Sequence, residues 1–146
     1  MRLVIQRVKK AKVTFCDKEN KINEGLVVLL GIHKDDTVDD IKYLVNKLVT
    51  LRIFEENDKL NLSVKDINGE ILLISQFTLY SNTSNGTRPS FEEAMKFNEA
   101  KKLYDSFINY LDQTNIKFKT GEFGEDMDVS LINNGPVTII IDSKEK

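Results

Sequence analysis

Several residue types that build particular kinds of site are scarce in this chain. It contains one cysteine and one histidine, which excludes an internal disulfide framework and a zinc site made of His and Cys clusters. No apolar run approaches the roughly 18 residues of a membrane-spanning helix. The N-terminal residues 1–7 are too short and too interrupted by charge for a signal peptide. We therefore expect a cytoplasmic protein with no membrane association, no metal and no cofactor.

An excess of charge of either sign is also missing. The chain has 21 basic and 23 acidic residues and a net charge of −2, so charge by itself gives no indication of a nucleic-acid partner. Its 146 residues, 40% of them hydrophobic, suit one domain over residues 1–146 that buries roughly 68–70% of its unfolded surface.

Alternating and continuous apolar runs predict about eight or nine strands. Ala11, Val13 and Phe15 share one face of the second strand, and Lys9-Lys10 is expected to form the turn before it. The run at residues 25–32 is apolar throughout, which is typical of a strand covered on both faces. The predicted strands are residues 1–8, 11–16, 25–32, 52–54, 60–64, 70–80, 116–120, 129–132 and 137–141.

Helical spacing predicts two helices. The first is capped by Thr37 and buries a stripe formed by Val38, Ile41, Leu44, Val45 and Leu48. The second runs from a capping box at Ser90 and Glu93 to about Leu111. Residues 81–87 form a polar loop, and residues 142–146 are expected to fray. Together these elements predict the α/β class, as a sheet-rich mixed fold with two main helices.

Two short stretches are unusual. At residues 75–79 (S-Q-F-T-L) a buried strand turns polar, and at residues 133–138 (N-N-G-P-V-T) a Gly-Pro pair separates two apolar runs. Pro136 has no backbone N–H to donate and Gly135 has no side chain. The pair therefore predicts a stiff corner with exposed carbonyls. In an extended strand Gln76 and Thr78 share a face; they either line a site or satisfy neighbouring backbone groups.

These two stretches resemble the signature motifs of the D-aminoacyl-tRNA deacylases. Residues 1–8, 86–91 and 121–131 are also similar to that family, in the same order. The resemblance implies a deacylase-like fold, a single-domain layered arrangement of mixed sheets with two main helices, in a homodimer. It implies hydrolysis of the ester between a D-amino acid, or glycine, and the 3′ end of tRNA, as chiral proofreading in translation.

The resemblance also implies roles for particular residues. The Gly-Pro pair is expected to be a cis dipeptide inserted into the partner subunit's pocket, where its carbonyls hold the substrate's α-amino group and reject L-amino acids. Met127 is expected to line the pocket or to fill core, and Arg7 to support the corner or to be an ordinary strand residue. The implied catalytic residues are Ser75, Gln76, Phe77 and Thr78, and the implied substrate-binding residues are Gly135, Pro136, Met127 and Arg7.

Two mechanisms remain open. Thr78 is a weak nucleophile without an adjacent base, and His33 is expected to be a polar residue at a strand end. Alternatively, backbone N–H groups near Phe77 and Thr78 form an oxyanion hole while the substrate's 2′-OH helps to activate water. Arg88 and the polar loop at residues 81–87 are expected either to contact tRNA or to form an exposed loop that only leads into the second helix.

Two other function classes compete with the deacylase. A nucleic-acid-binding module on the same fold would have lost the chemistry, but both motifs are intact and there is no basic extension. A general small-ester hydrolase would need a G-x-S-x-G elbow and a His partner, which the chain lacks. One departure from the family is Asn134, where Asp is common; both residues suit a turn.

Overall fold

The computed structural model describes residues 1–146 and confirms the α/β class, with two α-helices and eight strands. The elements in chain order are β1 (Arg2–Phe15), β2 (Lys18–Ile22), β3 (Gly25–Gly31), α1 (Val38–Thr50), β4 (Phe54–Glu56), β5 (Lys59–Leu62), β6 (Glu70–Ser75), α2 (Phe97–Asp112), β7 (Lys117–Thr120) and β8 (Asp128–Asp142). A 3-10 turn at Phe77–Tyr80 follows β6. Neither helix has the length and apolar character needed to span a bilayer.

Six of the strands form one mixed sheet that nearly closes on itself. Its order is β2-β1-β3-β6-β7, and β8 pairs with β1 along almost its whole length. Strands β3, β6 and β7 are parallel, whereas β1 is antiparallel to its neighbours. The Asn20 side chain on β2 donates to the Thr120 carbonyl on β7 at 2.6 Å. This bond joins the two ends of the sheet. Strands β4 and β5 form a separate hairpin.

The sheet buries apolar side chains on both of its faces. Alternate residues of β3 point to opposite sides: Leu26, Val28 and Leu30 pack in the larger core with both helices, and Val27 packs in the smaller one. The smaller core contains Val8, Ala11, Val13, Phe15, Ile22, Val27, Leu72 and Ile74. The prediction that β3 is covered on both faces is confirmed, as is the inward face of Ala11, Val13 and Phe15.

The first helix agrees with its predicted pattern in four of five positions. Ile41, Leu44, Val45 and Leu48 are buried, but Val38 in the first turn is 39% exposed. The Asp40 carboxylate accepts a hydrogen bond of 2.8 Å from the Thr37 amide, which satisfies a donor at the helix start.

The second helix begins at Phe97, so the prediction of a start at Ser90 is wrong. Ser90 exchanges both backbone hydrogen bonds with Asn82, and the Met95 amide donates to the Ile32 carbonyl at 2.9 Å. Residues 90–95, which we call the strap, therefore cross the end of β3 without forming a helix. These long-range backbone bonds override a local capping signal.

Three strand predictions are also wrong. Lys9-Lys10 makes no turn, because β1 continues through both residues, with Val8 paired to Asn133 and Lys10 to Ile132 of β8. Gly135-Pro136 is a cis peptide that does not end a strand: β8 runs through it. The irregular register opposite Arg7 accommodates the pair. The strand expected at residues 70–80 ends at Ser75, where the 3-10 turn follows. The short strand β2 was not predicted, because Ile22 is its only buried residue.

The tail at residues 142–146 does not fray over its first residues. Ser143 is 2% exposed, and its amide donates to the Met1 carbonyl at 2.8 Å. The Lys144 ammonium lies 3.5 Å from Asp36 and 3.6 Å from Asp40. Buried carboxylates at the start of α1 thus anchor the tail.

Leu44→Ala is expected to lower the free energy of unfolding by about 2–5 kcal/mol, because it leaves a cavity between the helix and the sheet. Val38→Ala on the same helix is the matched control and should change stability by less than about 0.5 kcal/mol, since Val38 is partly exposed. Denaturant unfolding measures both. Equal losses in the two variants would contradict the observed stripe.

Asp40 is expected to make stability depend on pH in the acid range. Burial alone would raise its pKa, but the Ser143 side chain, the Thr37 amide and the Lys144 charge together lower the pKa from 3.8 to about 2. The ionised form stabilises the fold above the unfolded pKa, and this contribution is lost as pH falls from about 4 to about 2.

The shift corresponds to about 2 kcal/mol of stability at neutral pH. In Asp40→Asn that contribution should be missing at pH 7, and the unfolding free energy should fall less steeply between pH 4 and pH 2 than in the wild type. Parallel pH curves for the two proteins would exclude this role.

Candidate active site

The first motif forms the 3-10 turn at the carboxyl end of β6. The Gln76 amide makes the last bond to β3, donating to the Leu30 carbonyl at 2.8 Å, before the chain turns. The turn packs directly against Gly31, where a Cβ atom would lie 2.9 Å from the Leu79 Cβ. Only glycine leaves enough space here for the turn to approach β3.

The turn presents main-chain donors to the edge of the sheet. Within it the Leu79 amide donates to the Gln76 carbonyl and the Ser81 amide to the Thr78 carbonyl. The Phe77 and Thr78 amides precede these bonds, and the first N–H groups of a helical turn have no acceptor inside it. Crevices outside the carboxyl ends of parallel strands are common ligand sites. The turn is thus suited to bind an oxyanion or a carbonyl oxygen.

A pocket of about 430 Å³ opens beside the turn. Its walls come from the turn, the strap, the start of α2 and the loop after β7. It is lined by Ser75, Gln76, Phe77, Met95, Phe97, Ala100, Phe123, Gly124, Glu125, Asp126 and Met127. The structure therefore brings together four of the predicted site residues: Ser75, Gln76, Phe77 and Met127. Thr78 is exposed and adjoins the pocket without lining it.

Thr78 has no basic partner in the structure. The Gln76 side-chain NH₂ donates to the Thr78 hydroxyl, and a donor of this kind cannot accept the hydroxyl proton. The imidazole of His33 lies at the end of β3, with Nε2 3.0 Å from the Glu93 carboxylate and its ring against Tyr80. Gln76 and Thr78 do have side chains on a common side, as predicted, but the expected extended strand is wrong, because both residues belong to the turn region.

The second motif is not part of this pocket. Gly135 and Pro136 are exposed on β8, and Gly135 has a φ angle of +124°. Neither these two residues nor Arg7 lines the pocket. Within one subunit the two motifs are therefore separate surfaces.

Arg7 connects the Gly-Pro pair to the hairpin. Its side chain is 4% exposed; Nε donates to the Asn134 carbonyl at 3.0 Å and a terminal nitrogen to the Ile53 carbonyl at 2.9 Å. The Glu55 carboxylate lies 3.4 Å away. The contact with Asn134 uses its main chain, so an asparagine in place of the family's aspartate leaves it unchanged.

Sequence reasoning missed the aromatic part of the pocket. Phe97, the first residue of α2, is 61% exposed and packs edge-on against Phe123 with ring centroids 5.1 Å apart. Gly124 has a φ of +80°, and a Cβ there would lie 2.6 Å from the Phe97 ring. The G-E-F-G run at residues 121–124 was the available signal. Burial raises the pKa of the Tyr104 phenol, which packs beneath Phe123, so its hydroxyl stays protonated.

Solved structures share this architecture. One, described as a probable eukaryotic D-amino acid tRNA deacylase, has a TM-score of 0.82 at 18% identity, with 96% of this chain and 97% of that chain covered. At that identity the likeness concerns the fold alone. Another, described as a c-Myc DNA Unwinding Element Binding Protein, has a TM-score of 0.91 at 38% identity, with 97% and 98% covered. The fold is thus that of the deacylase class.

Sequence relatives specify the family. The D-aminoacyl-tRNA deacylase of Finegoldia magna is 58% identical over the whole of both chains, and that of Thermosipho africanus is 56% identical over 99% of each. The family model described as D-Tyr-tRNA(Tyr) deacylase matches residues 4–142. The chain belongs to this family, and the resemblance noted in its motifs is confirmed.

Gly31→Ala is expected to lower kcat for hydrolysis of D-tyrosyl-tRNA about tenfold, because the added methyl group displaces the turn and its amides. Stability should fall by about 1–3 kcal/mol from overpacking. Leu44→Ala, which is destabilised at a distance from the pocket, is the control and should keep the wild-type kcat below its unfolding temperature. An unchanged kcat in Gly31→Ala would contradict the importance of this contact.

Proposed function

We propose that this protein hydrolyses the ester bond of D-aminoacyl-tRNA and releases free D-amino acid and tRNA. The observation that carries the proposal is its family membership, with full-length relatives named D-aminoacyl-tRNA deacylase at 51–58% identity. The pocket beside the 3-10 turn is the proposed site for the 3′ end of the aminoacylated tRNA. This activity proofreads chirality in translation, so we place it in the cytoplasm, and it extends to mischarged glycyl-tRNA.

In the proposed mechanism the main chain supplies the catalytic groups. The amides of Phe77 and Thr78 bind the ester carbonyl and stabilise the oxyanion that forms when water attacks. The bond between Gln76 and Thr78 leaves the threonine hydroxyl without a base, which favours activation of water with help from the substrate's 2′-OH over attack by Thr78.

Selection of the D-configuration is proposed to require a second subunit. Gly135 and Pro136 are exposed and held by Arg7 through Asn134, so they are available to enter the pocket of a partner in a homodimer. Val129, Ile132 and Ile140 on the same strand are 37%, 46% and 66% exposed, and such apolar side chains suit a subunit interface. The corner carbonyls would hold the substrate ammonium, and an L-side chain would collide with the proline.

A second candidate function is nucleic-acid binding without hydrolysis. It is favoured by one observation: the solved structure at 38% identity is described as a DNA unwinding element binding protein. Arg88 and the loop at residues 81–87 are exposed and are proposed to contact tRNA in either case. Retention of both motifs favours the deacylase.

The deciding experiment compares hydrolysis of D-tyrosyl-tRNA and L-tyrosyl-tRNA by the purified protein. We expect rapid loss of the D-ester alone. Loss of neither ester, with tRNA still bound, would replace the proposed activity with the binding function. Loss of both at similar rates would refute the chiral role.

Gly135→Val is expected to reduce kcat/KM for D-tyrosyl-tRNA at least about 100-fold, with the folded dimer retained. A Cβ at Gly135 would lie 3.0 Å from both the Arg7 guanidinium and the Val137 side chain, in a backbone conformation that L-residues rarely adopt. Because the pair is exposed, the displacement should move the corner and leave the core intact.

The control for this variant is Asn115→Val. Asn115 also has a positive φ, of +60°, and is exposed in the turn after α2, outside the pocket, the Gly-Pro pair and the loop proposed to contact tRNA, so hydrolysis should stay within about threefold of the wild type. Size-exclusion chromatography and thermal unfolding check assembly and folding. Full activity in Gly135→Val would rule out the proposed role of the corner.

A further inference from the structure

The second half of the strap is bonded to the residues that directly follow β3. The Lys34 amide donates to the Glu93 carbonyl and the Met95 amide to the Ile32 carbonyl, both at 2.9 Å. Met95, at the end of the strap, lines the pocket. The strap therefore has a fixed position between the core of the sheet and the proposed site.

The Glu93 side chain adds two contacts to this attachment. One carboxylate oxygen lies 2.8 Å from the Lys34 ammonium and the other 3.0 Å from His33 Nε2. Lys34 and His33 lower the pKa of the Glu93 carboxyl. Exposed ion pairs contribute little to global stability, so contacts of this kind act mainly on the local position of the strap.

The strap reaches the 3-10 turn through one aromatic contact. The Phe91 and Phe77 rings pack edge to face, with centroids 5.0 Å apart and planes at 66°. Phe77 is otherwise 58% exposed. Gly31 supports the inner side of the turn, and Phe91 supports its solvent side.

We infer that Phe91 is a positioning residue for the main-chain donors of the turn. Held by the strap and by Glu93, it fixes the Phe77 ring and with it the direction of the Phe77 and Thr78 amides. The inference rests on the proposed function for its effect on rate. The restraint of the turn by Phe91 does not depend on the proposed function.

Phe91→Leu is expected to lower kcat for D-tyrosyl-tRNA about tenfold while KM stays within about twofold, because the amides act mainly on the oxyanion of the transition state. Phe91→Tyr keeps the aromatic contact and should recover most of the rate. A wild-type kcat in Phe91→Leu, or an equal loss in both variants, would overturn the inference while leaving the proposed function intact.

A matched pair of charge variants tests the attachment of the strap. Glu93→Gln removes the charge that Lys34 and His33 contact and should lower kcat about threefold. Glu92→Gln changes the neighbouring exposed carboxylate, which takes part in no ion pair, and should have no effect. Equal kcat values in the two variants would exclude Glu93 from this role. Because Glu93 is exposed, its substitution should not prevent folding. The two charge variants therefore still test the inference if Phe91→Leu does not fold.

Amide hydrogen exchange gives a readout that needs no substrate. The Leu79 and Ser81 amides are bonded inside the turn, so Phe91→Leu should raise their exchange rates about tenfold and leave those of α2 unchanged. Unchanged exchange at both amides would overturn the inference even if the wild type were inactive on D-tyrosyl-tRNA. If the wild type does not hydrolyse D-tyrosyl-tRNA but the two amides exchange faster in Phe91→Leu, the proposed function is refuted and the inference stands.

Discussion

The parallel pairing of β3 with β6 is the constraint on which the rest of the structure depends. It begins at Gly25, where a Cβ would lie 1.8 Å from the Glu70 carbonyl, and ends at Leu30 and Ser75, next to Gly31, where the turn packs. Both faces of this pair are buried, so neither strand can shift its register without exposing apolar side chains. The turn is a direct extension of this pair, which is why its amides have a defined place at the edge of the sheet.

A second set of contacts organises the opposite side of the molecule. Strand β8 follows β1 closely, and the irregular register near Arg7 allows the Gly-Pro pair to remain within a continuous strand. The Arg7 guanidinium then ties this point to the Ile53 carbonyl before the hairpin. A buried arginine satisfied by main-chain carbonyls is a rigid support, because removing it would leave buried acceptors without a donor.

The sequence predicted the elements whose signals are local. Residues 25–32 were recognised from their continuous apolar run, and α1 from its stripe and cap. The errors occurred where distant backbone partners decide the conformation. Ser90 pairs with Asn82 and so does not cap a helix, Ser143 is anchored by Met1, and β8 continues through Pro136 because β1 lies beside it. Ser75, Gln76, Phe77 and Met127 were predicted as site residues from the motifs and the resemblance. Met95 lines the pocket from the end of the strap and Phe97 from the start of α2, and no local pattern indicates either position.

The 3-10 turn has a consequence for how such a protein tolerates mutation. Under the proposed mechanism the catalytic groups are peptide groups, which remain when a side chain is replaced unless that side chain positions the backbone, as Phe91 is inferred to do, so alanine scanning would overlook most of them. Substitutions that move the backbone, at glycines above all, become the damaging ones. If the pocket holds the amino acid as proposed, its side chains are then free to vary, and drift at Met95, Phe97 or Met127 would alter which amino acids are accepted without altering the reaction itself.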